Sequence, residues 1–296
     1  GFVAIHIIGG TVATKQPAMT AAAIASTISE VKGRKAAQFT KLTELVVDIM
    51  RTQFIAIMGN ISIAMPIALL ISSMWLYGLG RPLTSEASAE HLLHDLNPFT
   101  SLAIFHAAIA GVYLYISGLI AGYYDNLAVH NKIGERIRNH PTLKRMMTPV
   151  TLLRFSDFIE RNLGAIMSNF LFGCFLGSTA TIGYIFGLPL DIRHIAFASA
   201  NFIHGIFNIY ANTGKFPEIG IILVSLFGVM VIGMINLLVS FSLALMTALR
   251  ARNVKVFEWK FLFELVASHL MTQPSDFFIP RKQPMNYALI DSEGNI

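Results

Sequence analysis

Along the chain, long uncharged runs alternate with short charged ones. Four runs, at residues 54–79, 101–123, 166–188 and 219–249, contain no Asp, Glu, Lys or Arg. A helix needs about 20 apolar residues to cross the ~30 Å hydrocarbon core of a bilayer, so each run predicts a membrane-spanning helix. The last run has 31 residues. At about 1.5 Å per residue it measures about 46 Å, so it must tilt or protrude. Residues 2–13 form a shorter apolar run that reads as the end of an earlier span. Two further stretches show an apolar face at helical spacing. One holds Phe39, Leu42, Leu45, Val46, Ile49 and Met50; the other holds Phe257, Trp259, Phe261 and Leu262 around Lys260. Both fit amphipathic helices lying on a membrane surface or packed on a partner domain.

The charged runs carry an orientation. Between Glu30 and Gln53 there are five Lys and Arg, between residues 80 and 100 one, between 124 and 165 seven, and after Leu249 six. The alternation follows the positive-inside rule, which predicts cytoplasmic basic loops, a cytoplasmic C-terminus and an external loop at 80–100. Trp75, Tyr77, Tyr123 and Tyr124 sit near span ends, where aromatic belts form. Parity then constrains residues 191–212. The third span runs outward and the fourth returns, so an extra full crossing would strand the basic tail outside. The expectation is a re-entrant or interfacial segment. Irregular backbone at membrane depth is tolerated only where protein or a water-filled cavity covers it.

Composition agrees with this pattern. The chain has 296 residues, 54% hydrophobic and 13% charged, and its mean hydropathy is +0.60. A soluble domain carries about 25% charged residues, so an ordinary soluble enzyme is disfavoured. Disorder is excluded by the apolar content. The net charge of +5 is explained by the basic loops without calling on nucleic acid. The one cysteine, Cys174, lies in an apolar run and reads as a small buried hydrophobe. The chain starts inside an apolar stretch, Gly1-Phe2-Val3-Ala4-Ile5, with no signal-peptide pattern. This leads us to expect a missing N-terminal region of the same protein.

The richest polar cluster is Asp191, Arg193 and His194, followed by Asn201, His204, Asn208 and Asn212. As a helix, these later residues fall on one stripe of an otherwise apolar surface. Such a stripe lines a polar path or ion site, or it supplies interhelical hydrogen bonds. Asp191 and Arg193 follow the break Gly187-Leu188-Pro189, where they close a turn or bond freed backbone groups. His6, His106, Asn60, Asn169 and Asn236 are isolated polar residues read as interhelical glue. Two histidines without a third ligand are weak grounds for a metal, so no metal or cofactor is expected. Gly118/Gly122, Gly173/Gly177 and Gly183/Gly187 have the GxxxG spacing that permits close helix contact and a homo-oligomer. No phosphate loop, H-E-x-x-H, C-x-x-C or G-x-S-x-G occurs in the chain, so no catalytic residue is assigned.

Several strings together carry a resemblance. They are Ala13-Thr14-Lys15-Gln16-Pro17-Ala18-Met19-Thr20-Ala21, and Ala121-Gly122-Tyr123-Tyr124-Asp125-Asn126 with Arg136-Ile137-Arg138 and His140. Arg161-Asn162-Leu163-Gly164 with Asn169, and Phe186-Gly187-Leu188-Pro189-Leu190-Asp191-Ile192-Arg193-His194, complete the set. The chain resembles, over roughly residues 10–210, a bacterial membrane protein family called site-specific recombinase. The resemblance implies a bacterial inner-membrane protein whose members extend further at the N-terminus, and its name implies DNA recombination. A tyrosine recombinase uses an Arg/His cluster and a Tyr nucleophile, and its His-x-x-Arg spacing does not occur in this chain.

The expectation is an all-α, polytopic helical membrane bundle with four full spans, one re-entrant or interfacial segment, and cytoplasmic amphipathic helices. Its parts are 1–30, the end of a truncated span; 31–53, a cytoplasmic amphipathic helix; 54–249, the bundle with cytoplasmic loop 124–165; and 250–296, a cytoplasmic tail. The function expected is that of a non-catalytic integral inner-membrane protein with the lipid bilayer as partner. The alternatives are a transporter or channel along 191–212 and a membrane-associated DNA recombination factor.

Overall fold

The computed structural model describes residues 36–251 and 259–279. These residues fold as α1 Ala36–Leu79, α2 Glu86–His94, α3 Ala103–His130, α4 Ile133–Asn139, α5 Pro141–Met146, α6 Pro149–Phe186, α7 Ile195–Thr213, α8 Ile219–Ala251 and α9 Trp259–Thr272. A 3-10 turn at Pro274–Phe277 follows. No strand occurs among the described residues. The expected segment 1–30 lies outside them, as do residues 31–35 and the tail beyond Ile279.

Four helices are long and apolar enough to cross a membrane: Val46–Leu79, Ala103–His130, Pro149–Phe186 and Ile219–Ala248. They cover nearly all of the four predicted runs, leaving out residues 101–102, 187–188 and 249, and three of them extend further at the charged end. The amphipathic stretch before residue 54 is continuous with the first span, making α1 a single helix of 44 residues. Local signals set the other boundaries. The Thr148 hydroxyl accepts from Thr151 N–H, and Pro149 fills the first turn of α6. Gly187 ends α6 in the left-handed region at φ 63°, and Leu188 N–H bonds back to Gly183 O at 2.8 Å. The 80–102 connection contains a helix that the hydropathy pattern passed over. Its signals are Ser85, which accepts from Ser88 N–H, and the buried series Ala89, Leu93 and Leu96.

Helix α8 is a wall shared by α1, α2, α3 and α7. Its first half packs on α2 and α7, and its second half packs on α3. Ser225 Oγ donates to Leu93 O at 3.2 Å, Asn236 reaches Ala107 O, and Thr247 meets Tyr115 Oη at 2.7 Å. Thus α2 and α3 run along α8 in the same sense, as one traverse in two pieces. Helices α6 and α7 make a second broken traverse in the opposite sense. Helix α6 packs along α3, where Gly164 N–H donates to Asp125 and Thr179 meets Tyr113. Helix α7 then continues towards the start of α8, between α1 and α2. The segment 191–212 is therefore an extended stretch and one straight helix that keeps the sense of α6. The parity expected from the basic loops is preserved.

The core follows this division. Ile57, Leu93, Leu96, Ala107, Ile195, Phe202, Val229 and Ile232 form one buried cluster; Ala110, Leu114, Phe172, Leu176 and Ile192 form another. Of the GxxxG glycines, Gly183 packs against Leu190 in its own turn, while Gly122 and Gly177 face open space. Among the glycines described, the closest approach is at Gly228, where an added Cβ would lie 1.8 Å from Leu96 O in the first break.

Candidate functional site at the junction of two helix breaks

The two broken traverses are interrupted beside each other, at residues 95–102 and 187–194. Broken helices expose backbone groups that must be satisfied when buried. At the second break, Ile192 N–H donates to Asp191 at 2.7 Å and Arg193 N–H to His106 O at 3.5 Å. His106 Nε2 meets Pro189 O at 2.9 Å; a carbonyl only accepts, so Nε2 carries the proton. Asn236, on α8, closes the junction. Its Oδ1 accepts from Ile195 N–H at 3.0 Å, and its Nδ2 donates to Ala107 O at 2.8 Å and Arg193 O at 2.9 Å. At the first break, Ser101 Oγ donates to Asn97 O at 2.6 Å, and its oxygen accepts from Ala103 N–H at 3.1 Å.

Arg193 ties one break to the other. Its Nη1 bonds Asp191, and its Nη2 donates to Asp95 Oδ2 at 2.7 Å, across 98 positions of sequence. His91, exposed, meets the same Asp95 oxygen at 3.1 Å. The Asp191–Arg193 pair expected to act locally is thus one half of a longer bridge. Asp95 was legible only as an acid of the external loop, since nothing in a single sequence couples it to position 193. Two carboxylates face one guanidinium, so the centre is net negative. Replacing Arg193 by methionine leaves both acids without a counterion. Breaking a fully buried pair costs about 3–5 kcal/mol; Asp95 and Asp191 are partly exposed, so about 2 kcal/mol is expected, read as a lower Tm in mild detergent. The same change in an Asp95→Asn background should cost less, because the acid that Arg193 compensates is already gone.

The rest of the predicted stripe is spent on helix contacts. His194 is buried between Phe172 and Phe197, and its Nδ1 accepts from Ala196 N–H at 3.4 Å as the cap of α7. His204 Nδ1 lies 2.6 Å from Ser72 Oγ on α1. Asn208 Oδ1 accepts from Leu83 N–H at 2.9 Å and Thr84 N–H at 3.3 Å. Asn212 Nδ2 donates to Thr84 O at 3.0 Å. Asn201 is half-buried on α7, and Asn169 is buried on α6 and engaged. Asp191, Arg193 and His194 therefore gather with His106, Asp95 and Asn236 at the junction. His204, Asn208 and Asn212 instead fasten the far part of α7 to α1 and the 80–85 turn. Among the described residues, no group of three or more His, Cys, Asp or Glu is placed to hold a metal ion.

Fold and site together define an all-α bundle with four helices long and apolar enough to cross a membrane, and with two broken traverses locked by an arginine and an asparagine. The chain belongs to the site-specific recombinase family, whose family model matches residues 1–280. No curated protein and no solved structure matches it.

Proposed function

We propose that this chain is an integral protein of a bacterial cytoplasmic membrane whose described bundle is a membrane-embedded scaffold rather than a strand-exchange catalyst. The observation that carries the membrane reading is the apolar surface of the four long helices. Ile63 and Met74 of α1, Leu119 of α3, Tyr184 and Ile185 of α6, and Leu223 and Met234 of α8 are all exposed. Apolar patches on this scale mark a membrane or partner surface, and the uncharged length of each helix favours lipid. The basic 131–148 connection and the 80–85 and 214–218 turns lie at opposite ends of the traverses, which supports a cytoplasmic placement for the former. A net-negative centre repels a phosphate backbone, so DNA chemistry gains nothing from the Arg193 cluster.

The orientation is tested by single cysteines in a Cys174→Ser background. A membrane-impermeant maleimide should label Lys215→Cys in intact cells and Lys144→Cys only after permeabilisation; the reverse pattern would overturn the assignment.

A second reading rests on the paired breaks. Transporters place substrate sites where discontinuous helices meet, and the Asp95–Arg193–Asp191 bridge occupies that position here. On this reading Asp95→Asn abolishes a solute flux while the protein still inserts. Unchanged flux in reconstituted vesicles removes it.

A further inference from the structure

A groove of about 540 Å³ opens between α2, α7 and the start of α8. This is within the roughly 300–1,000 Å³ of small-molecule sites. Its floor is apolar, made by Leu93, Ile209 and Val224, and its rim carries Glu90, Glu218 and the exposed Ile221. Both glutamates are exposed, and neither has an ion-pair partner among the described residues. Lys215, three residues before Glu218, makes no ion pair with it. The two acids come from different helices: Glu90 from the middle of α2, and Glu218 from just before α8, where its carbonyl accepts from Ile221 and Ile222 N–H. His94 lies one turn after Glu90 on the same face of α2 and also lines the groove.

This arrangement selects among ligands. An apolar body gains by leaving water for the floor, and a cation held at the rim is attracted by two carboxylates while keeping most of its hydration. An anionic amphiphile meets the same acids as repulsion. A bare metal ion gains nothing from the floor, and no cluster of ligating side chains converges there among the described residues. We propose that the groove binds an organic cation, an ammonium-type charge carried on an apolar body.

The probe is tetraphenylphosphonium, measured by equilibrium dialysis against the purified chain in a neutral detergent. Saturable binding of one probe per chain is expected. The Glu90→Gln/Glu218→Gln variant should bind about tenfold more weakly with an unchanged Tm, since two exposed attractions are lost. Non-saturating partition, or equal affinity in wild type and variant, overturns the proposal. The source of the cation is read by competition. Displacement of the probe by a short-chain phosphatidylethanolamine assigns a lipid headgroup ammonium. Saturable probe binding that the lipid fails to displace assigns a free amine.

Discussion

Replacing Asn236 by leucine is expected to destabilise the bundle by about 3 kcal/mol, from three lost hydrogen bonds of which one leaves a buried donor stranded. Asn236 is 1% exposed, so water cannot stand in for its amide. The three partners are unequal. Ala107 O lies inside α3, where it also serves the helix ladder, so losing its side-chain bond costs least. Ile195 N–H is the first donor of α7 and has no carbonyl four residues back within the helix. Arg193 O belongs to the extended stretch, where no helix ladder exists to replace the contact. Leucine has the same number of side-chain heavy atoms and is slightly bulkier, so no cavity opens and the loss reports hydrogen bonding and fit. The measurement is thermal unfolding in a mild detergent, followed by circular dichroism. A variant that melts with wild type would show that the junction holds without its asparagine.

The Gly228→Ala change should be more severe. The added Cβ would sit 1.8 Å from Leu96 O and 3.2 Å from Pro98 Cδ. The obstacle is backbone, so no rotamer change relieves it; either α8 moves away from the first break or the break itself moves. A cost of about 4 kcal/mol or more is expected, at the extreme end of single substitutions. In practice this means loss of the monodisperse peak on size exclusion. Gly177→Ala is the matched control, because nothing lies within 4 Å of its added Cβ. That change should be neutral or slightly stabilising, since alanine favours helix by about 1 kcal/mol over glycine. Equal behaviour of the two variants would contradict the close approach of α8 to residue 96.

Comparing sequence with structure separates what is local from what is not. The four long apolar helices and the helix-breaking role of Gly187 and Pro189 were legible, because hydropathy and proline chemistry act within one segment. The stripe at His204, Asn208 and Asn212 was legible as a face but not as a function. Its partners, Ser72, Leu83 and Thr84, lie more than 120 positions away. Helix α2 was missed because a charged loop outweighed a short helical signal of nine residues. The link from Asp95 to Arg193 could not be read at all, since each residue has an adequate local explanation. The GxxxG pairs show the opposite error. A spacing rule found Gly183 and Gly187, which serve their own turn, and passed over Gly228, where α8 meets the first break.

The position of α8 as common wall bears on the order of assembly. It is the last of the long helices to leave the ribosome, yet it carries Ser225, Gly228 and Asn236, the residues against which both breaks are set. Until it arrives, α7 has α1 and α2 to pack on, but the groups at Ile195 and Arg193 have no asparagine to meet. The first three traverses are therefore expected to enter the membrane tied at the breaks by Arg193–Asp95 and His106–Pro189, and to be fully locked only when synthesis is nearly over. A chain stopped before residue 219 should insert but remain sensitive to protease at 95–102 and 187–194. The full chain should resist cleavage at both places at once.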